Sequence, residues 1–261
     1  MKIVRYSEKD EPPQYGWVLE DAGGGKMVGR IDGSIFDEYQ RAEAKTPIEN
    51  VKLAPPVEPG KVLCVGRNYV AHAEEHDVEV PDVPLLFLKP PSSVIGPGET
   101  IYLPPQSQKV EHEGELAVVM GKRGRWIDAG DVMNHVLGFI VANDITARDL
   151  QRRDGQWTRG KGFDTFCPVG PWIMTDFDPA DALLTCHVNE ELRQMASTRD
   201  MVFTVRQLVA YASSVMTLEP GDVLLTGTPA GVGKLNAGDV VKVEIEGLGD
   251  LVNPVESEPV R

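Results

Sequence analysis

Short, almost unbroken apolar runs constrain this chain's fold more than any other feature. KVLCVG (61–66), PLLFLKP (84–90), the later part of VEHEGELAVVMGK (110–122) and HVLGFIVANDIT (135–146) are all of this kind. Each is short for a core helix and ends at glycine, proline or a polar residue, which is how buried strands are written. DVLLTGTP, DVVKVEIEGLG and DLVNPV carry turn-rich β structure toward the C-terminus, and Asn236-Ala237-Gly238-Asp239 reads as a turn.

Helical signals are few. Thr204 to Met216 is the clearest: Thr204 caps it, Val205, Leu208, Val209, Ala212, Val215 and Met216 share an apolar face, and Glu219-Pro220-Gly221 stops it. ARDLQRRD adds one or two helical turns, and Asn68 is placed to cap a short helix through YVAHAEEH. Without sustained βαβ alternation a doubly wound sheet is excluded. The expectation is a mainly β (α+β) fold with a large, irregular, antiparallel or mixed sheet and few helices.

Residues 1–56 read as a small N-terminal β-rich domain, with KIVRY and YGWVLED as strands and Gly23–Gly25 as a turn. PPVEPG at 55–60 cannot sit inside a strand or helix and marks the boundary; residues 57–261 form the main domain. At about 150 residues per domain, 261 residues suit one large and one small unit.

With 26 basic and 40 acidic residues the net charge is −14, which argues against nucleic acid as the main partner. It leaves an anionic substrate open, because a few cations and a metal can make a positive site in an acidic protein. Cys64, Cys167 and Cys186 are widely spaced with no CxxC, so neither a disulfide framework nor a cysteine zinc site is expected. MKIVRYSEKDEPP lacks the apolar core of a signal peptide, and no run approaches about 18 apolar residues. A cytoplasmic, non-membrane location is expected.

Three groups of residues carry chemistry. In a strand, Glu113 and Glu115 point to one face, and such a pair repels unless a cation lies between them or one is protonated. Taken alone the pair also suits a solvated strand edge. Asp144 ends another apolar strand, where an isolated buried carboxylate is costly. Three carboxylates without cysteine favour Mg²⁺ or Mn²⁺ over zinc, provided the two strands meet. His72 and Glu75, three apart, share a helix face; the carboxylate can orient the imidazole as a general base, or the helix is a surface one with incidental charges. Lys161, flanked by glycines in TRGKGFD, can stabilise an enolate or carboxylate, or is a solvated loop lysine. TPAGVGK (228–234) fails as a phosphate loop, with Thr228 where the first glycine belongs and Leu235 in place of Ser or Thr.

Together the segments resemble the fumarylacetoacetate hydrolase superfamily. GRNYVAHAEE (66–75) is similar to its G-x-N-Y-x-x-H-x-x-E segment and EHEGELAVVMGK (111–122) to its E-x-E-L metal strand. NDITARDLQ (143–151) is similar to D-x-T-A-R-D, and KGFDTFCP (161–168) to K-S-F-D-x-x-x-P. VNEELRQ (188–194) and LTGTPAGVG (225–233) resemble later segments, so the likeness runs in order from about 59 to 255. It points to the acylpyruvase and oxaloacetate decarboxylase branch and to bacterial enzymes of homoprotocatechuate breakdown.

The resemblance implies a mixed β-roll with a small N-terminal domain, a homodimer, and Mg²⁺ or Mn²⁺ on Glu113, Glu115 and Asp144, with Ca²⁺ as a non-native occupant. It implies a catalytic His72–Glu75 dyad on a segment that orders as a lid, Lys161 at the reacting enol or carboxylate, and substrate contacts from Arg148, Gln151 and Thr228. Two positions depart from the pattern. Gly162 stands where Ser is common, which should alter a hydrogen bond near Lys161. Gly114 stands where a branched apolar residue is common, which should loosen the metal strand. The expected substrate is a small 2-oxo acid. Hydrolysis of an acylpyruvate or fumarylpyruvate ranks first, decarboxylation of oxaloacetate second and isomerisation or tautomerisation, as of an unsaturated diacid, third. The contrasting reading is an inactive, ligand-binding dimer.

Overall fold

The apolar runs become the middle of one large mixed sheet. The computed structural model describes residues 1–9 and 11–259. Through the centre of a thirteen-stranded sheet run Lys2–Ser7, Cys167–Met174, Val136–Asn143, Gly114–Met120, Val223–Leu225, Val62–Gly66 and Leu85–Lys89, in that spatial order. Successive neighbours are antiparallel except Val223–Leu225 and Val62–Gly66, which are parallel. Ile101–Leu103, Gly249–Ser257, Val240–Ile245, Leu183–Val188 and Glu191–Ser197 form a second sheet of five strands. The mostly β architecture with few helices is the class that the sequence predicts.

The central strands read as continuous apolar runs because both of their faces are covered. Leu116, Val118 and Met120 point into one core with Phe139, Val141, Leu63 and Val65. Ala117 and Val119 point into a second with Ile140, Ala142, Val62 and Cys64. The first core is closed by Leu184, Cys186, Val241 and Val243 of the five-stranded sheet and by Leu208, Val209 and Ala212 of a helix. Burying a large apolar side chain contributes about 1.5–3 kcal/mol, so this doubly covered pair of strands is a firm platform for whatever its ends carry.

Four α-helices are present among the described residues: α1 (Val70–Glu75), α2 (Arg148–Asp154), α3 (Thr158–Lys161) and α4 (Val205–Val215). Thr204 caps α4 through a reciprocal box with Gln207, as its sequence predicts. Val215 departs from the expected apolar face and is 52% exposed. Asn68 does not cap α1, whose N-cap is Tyr69 with no side-chain bond. The Asn68 amide instead donates to the carbonyls of Phe203 (3.0 Å) and Thr226 (2.7 Å) and accepts from the Phe203 N–H, tying three distant segments together.

The long strand expected over 110–122 is split into Val110–His112 and Gly114–Met120. PPVEPG lies between strands Lys52–Ala54 and Val62–Gly66. Lys2 and Ile3 pair with Met174 and Ile173, so the first strand of the N-terminal segment continues the large sheet. Among the described residues no helix is long and apolar enough to cross a membrane. All three cysteines are free and buried, and burial pushes the Cys167 and Cys186 thiols up to about 12.

Candidate active site

Two strand ends build the site, and they meet. Gly114 is paired with Asn143 and Glu115 with Ala142, while the Asp144 N–H donates to the Glu113 carbonyl at 2.8 Å. Side chains alternate along each strand. The face that carries Val119 and Ala117 on one strand, and Ile140 and Ala142 on the next, therefore continues as Glu115, Glu113 and Asp144. An apolar face becomes a carboxylate face where the strands leave the core. The three residues are 1–4% exposed, and one donor oxygen from each lies within 4.8 Å of the others. Glu113 falls at the break between strands, where the Asn143 side chain accepts its N–H at 2.9 Å.

Cations surround two of these carboxylates. Lys161 Nζ donates to Glu113 (2.7 Å) and Asp144 (2.6 Å), bridging the two chain segments. Lys89 Nζ donates to the other Asp144 oxygen at 2.5 Å and to the Ile145 carbonyl at 3.1 Å. Arg148 donates to Glu113, to Glu111 at 2.7 Å and to Gln151 Oε1 at 2.8 Å. Burial alone would raise the Glu113 carboxyl; Lys161, Arg148 and His72 reverse that and hold it well below the usual carboxylate range. Burial would lower Lys161, yet Asp144 and Glu113 keep its ammonium above the ordinary value.

Glu115 is different. It accepts the Gly227 N–H at 2.6 Å, and burial, then Asp144 and Glu113, push its carboxyl well above the ordinary value. Gly227 reaches it with φ of +97°, and a Cβ there would lie 2.7 Å from that of Asn68, so the donor requires glycine. Three hard oxygen donors, one of them short of positive charge, fit Mg²⁺ or Mn²⁺ better than a softer ion.

His72, Glu113, Glu115, Arg148, Gln151, Lys161 and Thr228 all line one cavity of about 440 Å³. Asp144 stands behind it, held by the two lysines. Glu75 is beside His72, whose Nδ1 lies 3.4 Å from a Glu75 oxygen without hydrogen-bond geometry. The Glu75 carboxylate accepts the Gly231 N–H at 3.1 and 3.2 Å. Burial first, against a partial offset from Glu113, lowers the His72 imidazole below its ordinary value. Thr228 Oγ1 donates to the Gly114 carbonyl at 2.9 Å and accepts from Gln194 at 2.7 Å.

Lys161 is not a solvated loop lysine: it ends α3 and is 2% exposed. Gly114 is not loose either. It is buried, and a Cβ there would come within 3.0 Å of Val243, so its bare backbone lets the two sheets approach. At Gly162 a Cβ would lie 2.5 Å from the Thr158 carbonyl oxygen. Sequence reasoning missed Lys89 and gave no role to Glu111 or Gln194. Gln194 accepts the Gly114 N–H at 3.0 Å and faces His112 at 3.1 Å.

Comparison with known proteins decides the family. The description "Fumarylacetoacetate (FAA) hydrolase C-terminal" matches residues 61–256, and "Rv2993c-like, N-terminal" matches residues 1–56. The chain belongs to the fumarylacetoacetate hydrolase family. It is 41% identical to the mitochondrial oxaloacetate tautomerase fahd2 of Xenopus laevis, over 98% of this chain and 90% of that one. The structure of 2-hydroxyhepta-2,4-diene-1,7-dioate isomerase from Mycobacterium marinum superposes with a TM-score of 0.92 at 40% identity, covering 100% of both chains. Maleylpyruvate hydrolase from Sphingobium, solved with manganese(II) and pyruvate, gives 0.81 at 31% identity, covering 99% of this chain and 100% of that one. Enzymes of this family act on small organic acids.

Proposed function

We propose that this chain is a divalent-metal-dependent enzyme that moves a proton on a small 2-oxo diacid, interconverting its keto and enol forms. The observation that carries the reading is a buried His72 facing the same cavity as the carboxylate cluster of Glu113, Glu115 and Asp144. The tautomerase and isomerase names of proteins matched over nearly the whole chain support it, and we therefore put proton transfer ahead of the acylpyruvate hydrolysis that the motifs rank first.

Glu113, Glu115 and Asp144 hold the ion, which when bound supplies Lewis-acid stabilisation of the charge that develops on the 2-oxo oxygen. His72, beside Glu75, takes the proton from the carbon beside the 2-oxo group and delivers it to the oxygen, or to a distal carbon when the substrate is conjugated. Lys161 places a fixed positive charge beside the developing enolate. Arg148 is committed to Glu111, Glu113 and Gln151, so it acts by setting the carboxylate and the amide that line the cavity rather than by gripping substrate alone. Arg67 and Arg152 also line the cavity and suit the second carboxylate of a diacid. Thr228, whose hydroxyl donates to the Gly114 carbonyl and accepts from Gln194, shapes the cavity wall beside the substrate.

Hydrolysis of an acylpyruvate stays as a second reading, because the maleylpyruvate hydrolase likeness spans the whole domain and the same His72–Glu75 pair can activate water. The test follows deuterium exchange at the carbon beside the keto group of oxaloacetate by NMR, with Mn²⁺, alongside an acylpyruvate panel. General-base catalysis contributes about 10²–10⁴ in rate, so His72→Gln should slow exchange by that factor and leave Mn²⁺ affinity unchanged. Cleavage of an acylpyruvate with uncatalysed oxaloacetate exchange would replace the first reading with the second.

A further inference from the structure

The lid helix carries a group that the proposed reaction uses only in part. His72-Ala73-Glu74-Glu75-His76 sets two histidines one helical turn apart with a carboxylate between them. In α1 and its C-cap the two imidazole rings are 4.7 Å apart at 89°. One donor atom from each of His72, Glu75 and His76 lies within 4.8 Å of the others. His72 is 6% exposed, and its Nδ1 and the Nε2 of His76 are buried without a hydrogen-bond partner. A buried imidazole nitrogen left without a partner is costly. Proton transfer through His72 gives no reason for a second orphaned nitrogen on His76. Arg152 approaches the other His76 nitrogen, Nδ1, at 3.5 Å and leaves Nε2 free. Both histidines line the same cavity as Glu113 and Glu115.

We propose that His72, Glu75 and His76 form a second metal site, selective for a Zn²⁺-class ion, that silences the enzyme by occupying the His72 imidazole. Two imidazoles and one carboxylate with a position left open are a zinc donor set. Mg²⁺ favours oxygen donors and keeps its waters, so it prefers the carboxylate cluster. The cavity therefore sorts two ions by donor chemistry: a hard one on carboxylates at its floor and a softer one on imidazoles in its lid. A lone pair held by zinc cannot accept a proton. The silencing half of the inference rests on His72 being the proton carrier; the binding half stands on the geometry alone.

The experiment holds full-length protein in millimolar Mg²⁺ and measures bound Zn²⁺ by equilibrium dialysis, with Mg²⁺ counted in the same samples. Wild type should take up one Zn²⁺ per chain without releasing Mg²⁺ and should lose turnover as it does so. Loss of an outer partner of a metal ligand already costs about 10–100-fold in affinity. Removing a ligand through His76→Asn or His76→Ala should therefore weaken Zn²⁺ by more than about 100-fold. Both variants should keep Mg²⁺ affinity and Mg²⁺-supported turnover, which also shows that they fold. Zn²⁺ uptake that is absent, equal in wild type and variants, or matched mole for mole by Mg²⁺ release overturns the site. Zn²⁺ bound through His76 with turnover unchanged overturns the silencing. Dialysis needs no substrate, so failure of the enzymatic reading is distinguishable from failure of the site.

Discussion

Of the three clustered carboxylates, Glu115 is the one to which no lysine or arginine donates among the described residues. Its carboxyl is raised by burial and by Asp144 and Glu113, against about 4.3 in an unfolded chain. The protonated form therefore favours the metal-free fold. That stability is fully present below the unfolded value and is lost as pH rises through the native one. A divalent ion needs the ionised carboxylate, so Mn²⁺ binding should expel a proton and tighten with rising pH. Titration calorimetry in buffers of different ionisation heat checks this, since the apparent enthalpy should track the buffer in wild type and not in Glu115→Gln. Lys89 makes a second case. It is 1% exposed and bonded to Asp144. Removing one partner of a buried pair costs about 3–5 kcal/mol. Lys89→Met should therefore lower the melting temperature in chelator by several degrees, and an unchanged midpoint would remove the pair from the account. Strand alternation made Glu113 and Glu115 legible as a pair where an apolar face stops, but only the family resemblance joined Asp144 to them. Lys89 was not legible, because it reads as the end of a strand and its partner is 55 residues away.

At the scale of elements, the strands were legible for one reason: a strand covered on both faces must be apolar at every position, and such runs resemble little else. The break at Glu113 was not legible, because it depends on the Asn143 side chain taking a bond that a ladder would otherwise supply. The role of Asn68 was missed for the same kind of reason, its partners lying 135 and 158 residues on. α1 is a weakly anchored helix beside the site. It has six residues and no side-chain N-cap, and it buries only His72 and Ala73, while Val70 is 51% exposed. Such a segment belongs to the low-stability end of the structure, as a lid must. Hydrogen exchange over residues 70–84 should be fast in the free protein and slow with Mg²⁺ and oxalate. Equal protection in the two states would show a fixed wall in place of a lid.

For the whole molecule, the N-terminal segment is separate in sequence but shares its core with the strands that lead to the site. Ile3, Ile31 and Ile35 pack in one cluster with Ile140, Cys167 and Ile173, and the first strand covers the edge of Cys167–Met174. Removing residues 1–56 uncovers both an apolar face and an unpaired strand edge, which template aggregation. We expect the 57–261 fragment to aggregate and the full chain to unfold in one calorimetric transition. A soluble fragment with full Mn²⁺ affinity would show two independent units.

The pairing of Gly114 with Asn143 and Glu115 with Ala142 has a consequence for how the chain reaches its native state. Side chains alternate with a period of two, so a slip of one residue between these strands turns every side chain of one strand to the opposite face. From Leu116 to Met120 and from Phe139 to Ala142 every position is apolar, so burial alone discriminates weakly against such a slip. The carboxylates do not share that tolerance: a slipped strand turns either Asp144 or the Glu113–Glu115 pair away from the other. A divalent ion held by these three carboxylates, as proposed, would bind the aligned sheet and not the slipped ones, and would so proof-read strand alignment before any part in turnover.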